Sequence, residues 1–231
     1  MISRCGLMQK KDGMGMEEFK DYWLNVHGPI ASTMANLRKY DQHVVVDSEH
    51  RHALGRGSVV IDGYSELQFD SYGDMLEGVA SLHGEGVDDI PKFANPHCQI
   101  LVLAKREVIR IPEYLRGKKL IQRVSFLGRA EGVSSERFVK EWWNVHDRLV
   151  QTVPGCVGYS QNLVIDRIVD GESVPFEELP IEGVVEFWFE NMKAFDECYG
   201  SPAFKRTGAH GTEFIDNITT YLVEAQPIAM A

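Results

Sequence analysis

The chain has 231 residues, a formal net charge of −10 and an apolar fraction of 44%. That length fits one domain or two small ones. An acidic chain with no basic stripe argues against nucleic-acid and anionic-membrane partners. No apolar run approaches a membrane span, and "MISRCGLMQKKDG" does not read as a signal peptide. Cys5, Cys98, Cys156 and Cys198 are scattered with no Cys-x-x-Cys pair. Free thiols in a reducing cytoplasm are the expectation.

In chain order, Ile2–Met8 reads as a strand, followed by a Gly-containing turn and a helix over about Met16–Val26. Strands are predicted at Tyr40–Asp47 and near Tyr64–Phe69, a helix at about Tyr72–Ser81, and a last strand near Gln99–Lys105. Residues 106–118 are charged and broken by Pro112 and Gly117, and read as a linker. The order then recurs. Leu120–Leu127 is a strand, Ser135–Val145 a helix with Ser134 or Ser135 as N-cap, and Tyr159–Asp166 and Val184–Phe189 are strands. A helix at Met192–Tyr199 and a strand near Thr219–Glu224 complete it.

The recurrence is in the residues as well. Ile2–Asp47 aligns without a gap on Ile121–Asp166, pairing Arg4 with Arg123, Phe19 with Phe138, Tyr40 with Tyr159 and Gln42 with Gln161. Later, Asp62–Phe69 aligns on Glu182–Phe189, pairing Gly63 with Gly183 and Glu66 with Glu186. We read an internal duplication, with repeats at 1–105 and 119–231. Each repeat is βαββαβ. A four-stranded sheet with both helices on one face leaves its other face bare. Two such faces can cover each other and close into a barrel. The space between sheet and helices is the natural pocket in each half.

On an α-helical wheel, Phe19, Tyr22, Trp23, Val26 and Ile30 form a core stripe, with His27 at its rim. Phe138, Trp142, Val145 and Leu149 repeat it, with His146 at the rim. Each histidine is a helix-end cap or a general acid/base facing the cleft. Tyr40, Gln42, Val44 and Val46 share one strand face and His43 takes the other. Tyr40 and Tyr159 could donate to a developing oxyanion, or are amphipathic barrel tyrosines. Arg4 and Arg123 need anionic partners, either Glu66 and Glu186 or a carboxylate or phenolate substrate. "HRH" (His50–His52) is weighed as a metal loop and set aside, since it has no twin. His83, His97 and His210 are unrepeated, and no phosphate loop, dinucleotide fingerprint or nucleophile elbow is present.

"EEFKDYWLNVHGP", "SERFVKEWWNVHD" and the tyrosine opening the next strand carry a further signal. With their repeated F-x3-W-x3-H spacing, they resemble the EthD family, named for ethyl tert-butyl ether degradation. The resemblance spans both halves. It implies an α+β fold of two tandem ferredoxin-like βαββαβ repeats, packed sheet to sheet as a fused dimeric α+β barrel that dimerises again. It implies His27, His146, Tyr40 and Tyr159 as catalytic residues. Arg4, Arg123, Asn25, Asn144, Trp23, Trp142, Tyr22, His43, Gln42 and Gln161 would contact substrate. No metal and no cofactor is expected. The function implied is a cofactor-independent lyase or isomerase acting on a small aromatic or lactone compound in a catabolic pathway. A cofactor-free monooxygenase on a phenol or quinol and a non-catalytic ligand-binding or stress-related barrel are the alternatives. The copies diverge where Gly28-Pro29 becomes Asp147-Arg148 and His43 becomes Asn162. Unequal clefts are therefore expected, with the first copy the more family-like.

Overall fold

The structure is a computed structural model, and it describes residues 1–46, 55, 57–82, 88–95 and 99–230. Asp47, His50–His52, His83, His97 and Cys98 lie outside the described residues. In the first half, β1 (Ile2–Met8) leads into α1 (Met16–Tyr22), a π-helical turn (Trp23–His27) and α2 (Gly28–Ala31). Then come β2 (Lys39–Val45), β3 (Gly63–Phe69), α3 (Tyr72–Ser81), α4 (Ile90–Phe93) and β4 (Gln99–Ile109). The second half has β5 (Ile121–Arg129), α5 (Ser135–Glu141), a π-helical turn (Trp142–His146) and α6 (Asp147–Val150). It continues with β6 (Cys156–Val169), the short β7 (Glu172–Ser173), β8 (Gly183–Phe189), α7 (Met192–Gly200), α8 (Pro202–Gly211) and β9 (Ile215–Met230).

The expected pair of α+β repeats is present. Each half has the ferredoxin-like strand order, β4-β1-β3-β2 and β9-β5-β8-β6. Antiparallel seams β2–β9 and β4–β6 join the two sheets and close the barrel. The seam strands run past their predicted ends. Lys105, Arg106 and Glu107 pair with Asn162, Gln161 and Ser160, so β4 continues into the segment read as linker. An isolated half would leave those backbone groups unpaired, and the partner half supplies the ladder. Among the described residues, no helix is long and apolar enough to cross a membrane.

Strand alternation sorts the side chains. Cys5, Leu7, Val124, Phe126, Tyr64 and Tyr221 fill the barrel interior from both halves. Phe138, Trp142, Tyr159, Phe187 and Phe214 form the core between sheet and helices in the second half. Phe19, Trp23, Phe93 and Met8 do the same in the first. The repeated glycines belong to this packing. A Cβ on Gly63 would lie 2.6 Å from Trp23, and one on Gly183 would lie 2.5 Å from Trp142. Trp142 is wholly buried and cannot swing away. Gly183→Ala is therefore expected to cost about 1–3 kcal/mol by overpacking. Chemical denaturation reads this directly, and an unchanged midpoint would refute the contact.

The α-helical wheel fails beyond the tryptophans. A π turn holds one extra residue and shifts the phase of everything after it. Val26 and Val145, placed in the stripe by 3.6-residue periodicity, are 40% and 41% exposed. The buried series is instead Phe19, Trp23, His27 with Gly28, and Ala31. In the second copy it is Phe138, Trp142, Asp147 and Val150. The extra residue turns the histidine inward. The carbonyl of Trp23 accepts from the Gly28 N–H, five residues on, and from the Gln42 side chain at 2.8 Å. Gln161 donates to the Trp142 carbonyl at 2.8 Å.

The barrel interior also holds an ion network. Lys105 Nζ lies 2.8 Å from Glu66 Oε1 and 3.3 Å from Glu186 Oε2, and so ties β4 to both sheets. Burial alone would raise the Glu66 carboxyl, but Lys105 and His43 hold it well below the usual carboxylate range. Ser160, Asn162, Gln122 and the Tyr64 hydroxyl also donate to Glu186. The sequence-expected pairing of these glutamates with Arg4 and Arg123 does not occur. Cys5 lies across from Glu66, and Val124 across from Glu186. One-residue alternation therefore sends the arginines to the helix side and the glutamates into the barrel.

Candidate functional site

A cavity of about 440 Å³ opens between sheet and helices of the second half, a size that suits a small organic ligand. Its wall includes Arg123, Trp142, His146, Tyr159, Phe187 and Tyr199. The repeat thus brings four sequence-predicted residues, Arg123, Trp142, His146 and Tyr159, into one apolar chamber. Gln161 stands behind them and donates to the Tyr159 hydroxyl at 3.1 Å. That leaves the tyrosine's own proton free to donate. Complete burial pushes the Tyr159 phenol well up, so it stays protonated.

His146 is the titrating group of the chamber. Burial, His210 and Arg123 together depress it to about 4, so it is a neutral base at ordinary pH. His146 Nδ1 lies 3.2 Å from His210 Nδ1. His210 Nε2 lies 3.5 Å from Glu141 Oε2. Physical chemistry then assigns the tautomers. The glutamate favours a proton on His210 Nε2, so His210 Nδ1 is bare and accepts from His146 Nδ1–H. The remaining lone pair of His146 sits on Nε2.

The first half builds the equivalent position differently. His27 Nδ1 lies 3.2 Å from Asp89 Oδ2, and the Tyr22 hydroxyl donates to Asp89 Oδ1 at 2.7 Å. Tyr22 aligns with Glu141 in the repeat. The two chains of contacts are therefore Tyr–Asp–His and Glu–His–His on matching elements. Burial lowers His27, and Asp89 opposes it. The Phe93 ring packs against His27 at 5.0 Å, as Phe214 packs against His146 at 5.7 Å in the second copy. Tyr40 accepts from Gln42 at 3.0 Å, as Tyr159 does from Gln161. Among the described residues, the cavity of about 440 Å³ belongs to the second copy.

Other predicted residues do not join either cleft. Asn25 and Asn144 are exposed on the outer side of the π turns, and Asn25 donates to Asp21 at 2.7 Å. His43 points into the barrel and stacks flat on Tyr64, ring centres 4.2 Å apart. Together with Asp41 and Glu66 it forms a buried cluster whose ligand-type atoms lie within 4.8 Å of one another. Lys39 already pairs with Asp41 and Lys105 with Glu66, so the carboxylates are compensated without a cation. Where Gly28 packs closely under Gln42, Asp147 instead recruits Arg106 from β4 at 2.7 Å. Arg106 also donates to the Trp143 carbonyl and to Gln161 Oε1, at 2.7 and 3.1 Å.

Sequence reasoning missed His210, Glu141 and the helix that carries His210. That helix had readable signals. Ser201 caps it by accepting from the Phe204 N–H at 3.1 Å, and Pro202 occupies its first turn.

Comparison with known proteins agrees with this architecture. The chain is similar over 99% of its length to 93% of a crystal structure of an anthrone oxidase-like protein, at 10% identity and TM-score 0.65. It is similar to a candidate monooxygenase of Fusobacterium nucleatum, at 7% identity and TM-score 0.60, covering 98% of this chain and 93% of the other. A candidate monooxygenase of Lactobacillus acidophilus is similar at 13% identity and TM-score 0.53, covering 98% and 94%. These likenesses show the fold alone. No curated protein sequence matches the chain. The EthD domain model matches residues 11–97 and again 130–218, so each half carries its own copy. The chain belongs to the EthD family, as two consecutive EthD domains on one polypeptide.

Proposed function

We propose that the chain is a cofactor-independent lyase or isomerase that moves a proton on a small, largely aromatic or lactone-like substrate in the second-half cavity. The observation that carries this is His146, a neutral base held by His210 in the wall of an aromatic chamber beside Tyr159. His146 Nε2 takes a proton from carbon or oxygen of the substrate, while the Tyr159 hydroxyl donates to the oxygen that gains charge. The imidazolium is disfavoured by burial and gives its proton back. Return to a different carbon completes an isomerisation. Return to a departing fragment completes an elimination, and return to the carbon that carbon dioxide has left completes a decarboxylation. An open cavity and a strongly depressed histidine weigh against a purely structural barrel.

The same first step, deprotonation of a phenol, also begins a cofactor-free oxygenation. The names of the anthrone oxidase-like and candidate monooxygenase structures favour keeping that second reading. Turnover of a panel of lactones, β-keto acids and phenols in heavy water separates them. We expect deuterium on product carbon and no oxygen consumption. Uptake of one oxygen molecule per turnover selects the monooxygenase. A folded protein that gives neither exchange nor turnover across the panel removes the enzyme reading. The reading places the chain in the cytoplasm, as a homodimer of fused pseudo-dimers.

A further inference from the structure

The second-half cavity contains a formal charge that the described residues leave uncompensated. Arg123 rises from the middle of β5 and is 8% exposed. Its guanidinium lies 4.9 Å from the centre of Phe187 and 6.0 Å from that of Tyr199. Among the described residues it makes no ion pair, and its Nε has no hydrogen-bond partner. Glu186, the carboxylate nearest in the strand pairing, points to the opposite face of the sheet and is taken by Lys105.

Among the described residues, the titratable groups that face Arg123 are neutral. His146 is deprotonated. Burial pushes the Tyr199 phenol and the Cys156 and Cys198 thiols up to about 12, and pushes Tyr159 up as well. Among the described residues, the chamber thus carries one positive charge and no negative one. An unpaired buried cation costs free energy that packing must offset. The rings of Phe187 and Tyr199 stabilise it only in part. Arg4, its repeat counterpart, faces no comparable chamber among the described residues.

We propose that this cavity is a binding site for a flat organic anion, an aromatic carboxylate or phenolate, whose charged oxygens are taken by Arg123 while its ring lies against Phe187, Tyr199 and Trp142. This rests on the reading of the cavity as the substrate site and names the class of substrate. The guanidinium offers its planar donors to two oxygens at once, which neutral analogues cannot use. It also sets the direction in which the ligand lies, ring toward the helices and charge toward β5.

Equilibrium binding to the whole chain tests this without turnover. The probes are benzoate, 4-nitrophenolate and the neutral isostere benzamide, measured by calorimetry on wild type, Arg123→Gln and His146→Ala. Charge-assisted hydrogen bonds of this kind predict that wild type prefers benzoate over benzamide by about tenfold or more. Arg123→Gln should lose that preference, and His146→Ala should keep it. Because it removes an uncompensated cation, Arg123→Gln should also melt no lower than wild type in the absence of ligand. Equal affinity for benzoate and benzamide, or an anion preference that survives Arg123→Gln, overturns the proposal. Absence of benzoate and phenolate binding overturns it too. Proton exchange in heavy water that persists alongside such a result leaves the enzyme reading standing and removes only the substrate class. If phenolate alone keys on Arg123, the charged group is a phenolate; if benzoate alone does, it is a carboxylate.

Discussion

Replacing Lys105 by methionine is expected to cost about 3–5 kcal/mol of folding stability at neutral pH, the scale for breaking a buried ion network by removing one partner. Lys105 is the shared cation of Glu66 and Glu186, one from each repeat. Methionine keeps the stem's volume but leaves two carboxylates facing each other inside the barrel. The pH dependence reverses with it. In the wild-type chain the Glu66 carboxyl is held low, so its contribution is present above the unfolded value of about 4.3 and is lost as pH falls through the folded value. Without Lys105, burial dominates and both carboxyls rise above their unfolded values. The penalty is then largest at neutral pH and shrinks on acidification. Urea denaturation at pH 7.5 and pH 5 reads both effects. A variant as stable as wild type at pH 7.5, or a gap that widens at pH 5, would sink the account of the network.

His146→Ala is the substitution with the largest expected effect on rate, a fall of about 10²–10⁴ in kcat with folding retained. The helix that carries His146 is anchored by Phe138, Trp142 and Val150, all within the core, so the loss should not spread to stability. The pH profile identifies the group. Activity needs the unprotonated imidazole, so kcat/KM should stay level through neutrality and fall only near pH 4. His210→Phe removes a neighbour that depresses His146, and should move that acid limb upward toward the ordinary histidine value. A limb that stays in place, with unaltered kcat, would show that His210 does not position the base. Full activity in folded His146→Ala would end the acid/base role altogether.

The legible part of the site was the part the duplication repeats. Trp142, Tyr159, Gln161, His146 and Arg123 each have a twin, and periodicity put Tyr40 and Gln42, the twins of Tyr159 and Gln161, on one face. Asn25 and Asn144 have twins too, yet they are exposed. A repeat marks what the fold uses twice, whether for packing or for surface. Val26 and Val145 failed for a local reason. No residue type in "WLNVH" or "WWNVH" announces a π turn, so the 3.6-residue wheel carried its phase one residue too far. The arginine–glutamate pairing failed on register, because which strand residue lies across from which is decided by the assembled sheet. His210 was passed over because it has no twin, although it lies 3.2 Å from His146 and, after burial, helps to depress it.

From its residues alone, this chain determined two βαββαβ repeats, the recurrence of Gly63 as Gly183 and of Trp23 as Trp142, and the family motif. These are short-range patterns of polarity, size and spacing, and they survive in a one-dimensional string. Only the tertiary structure showed the cavity of the second half and the partner of each helix-end histidine, Asp89 for His27 and His210 for His146. Only the closed barrel decided that Lys105 serves both glutamates. Those contacts join residues far apart in the chain, and the cost of burying their charges is offset by pairing that no local segment achieves by itself.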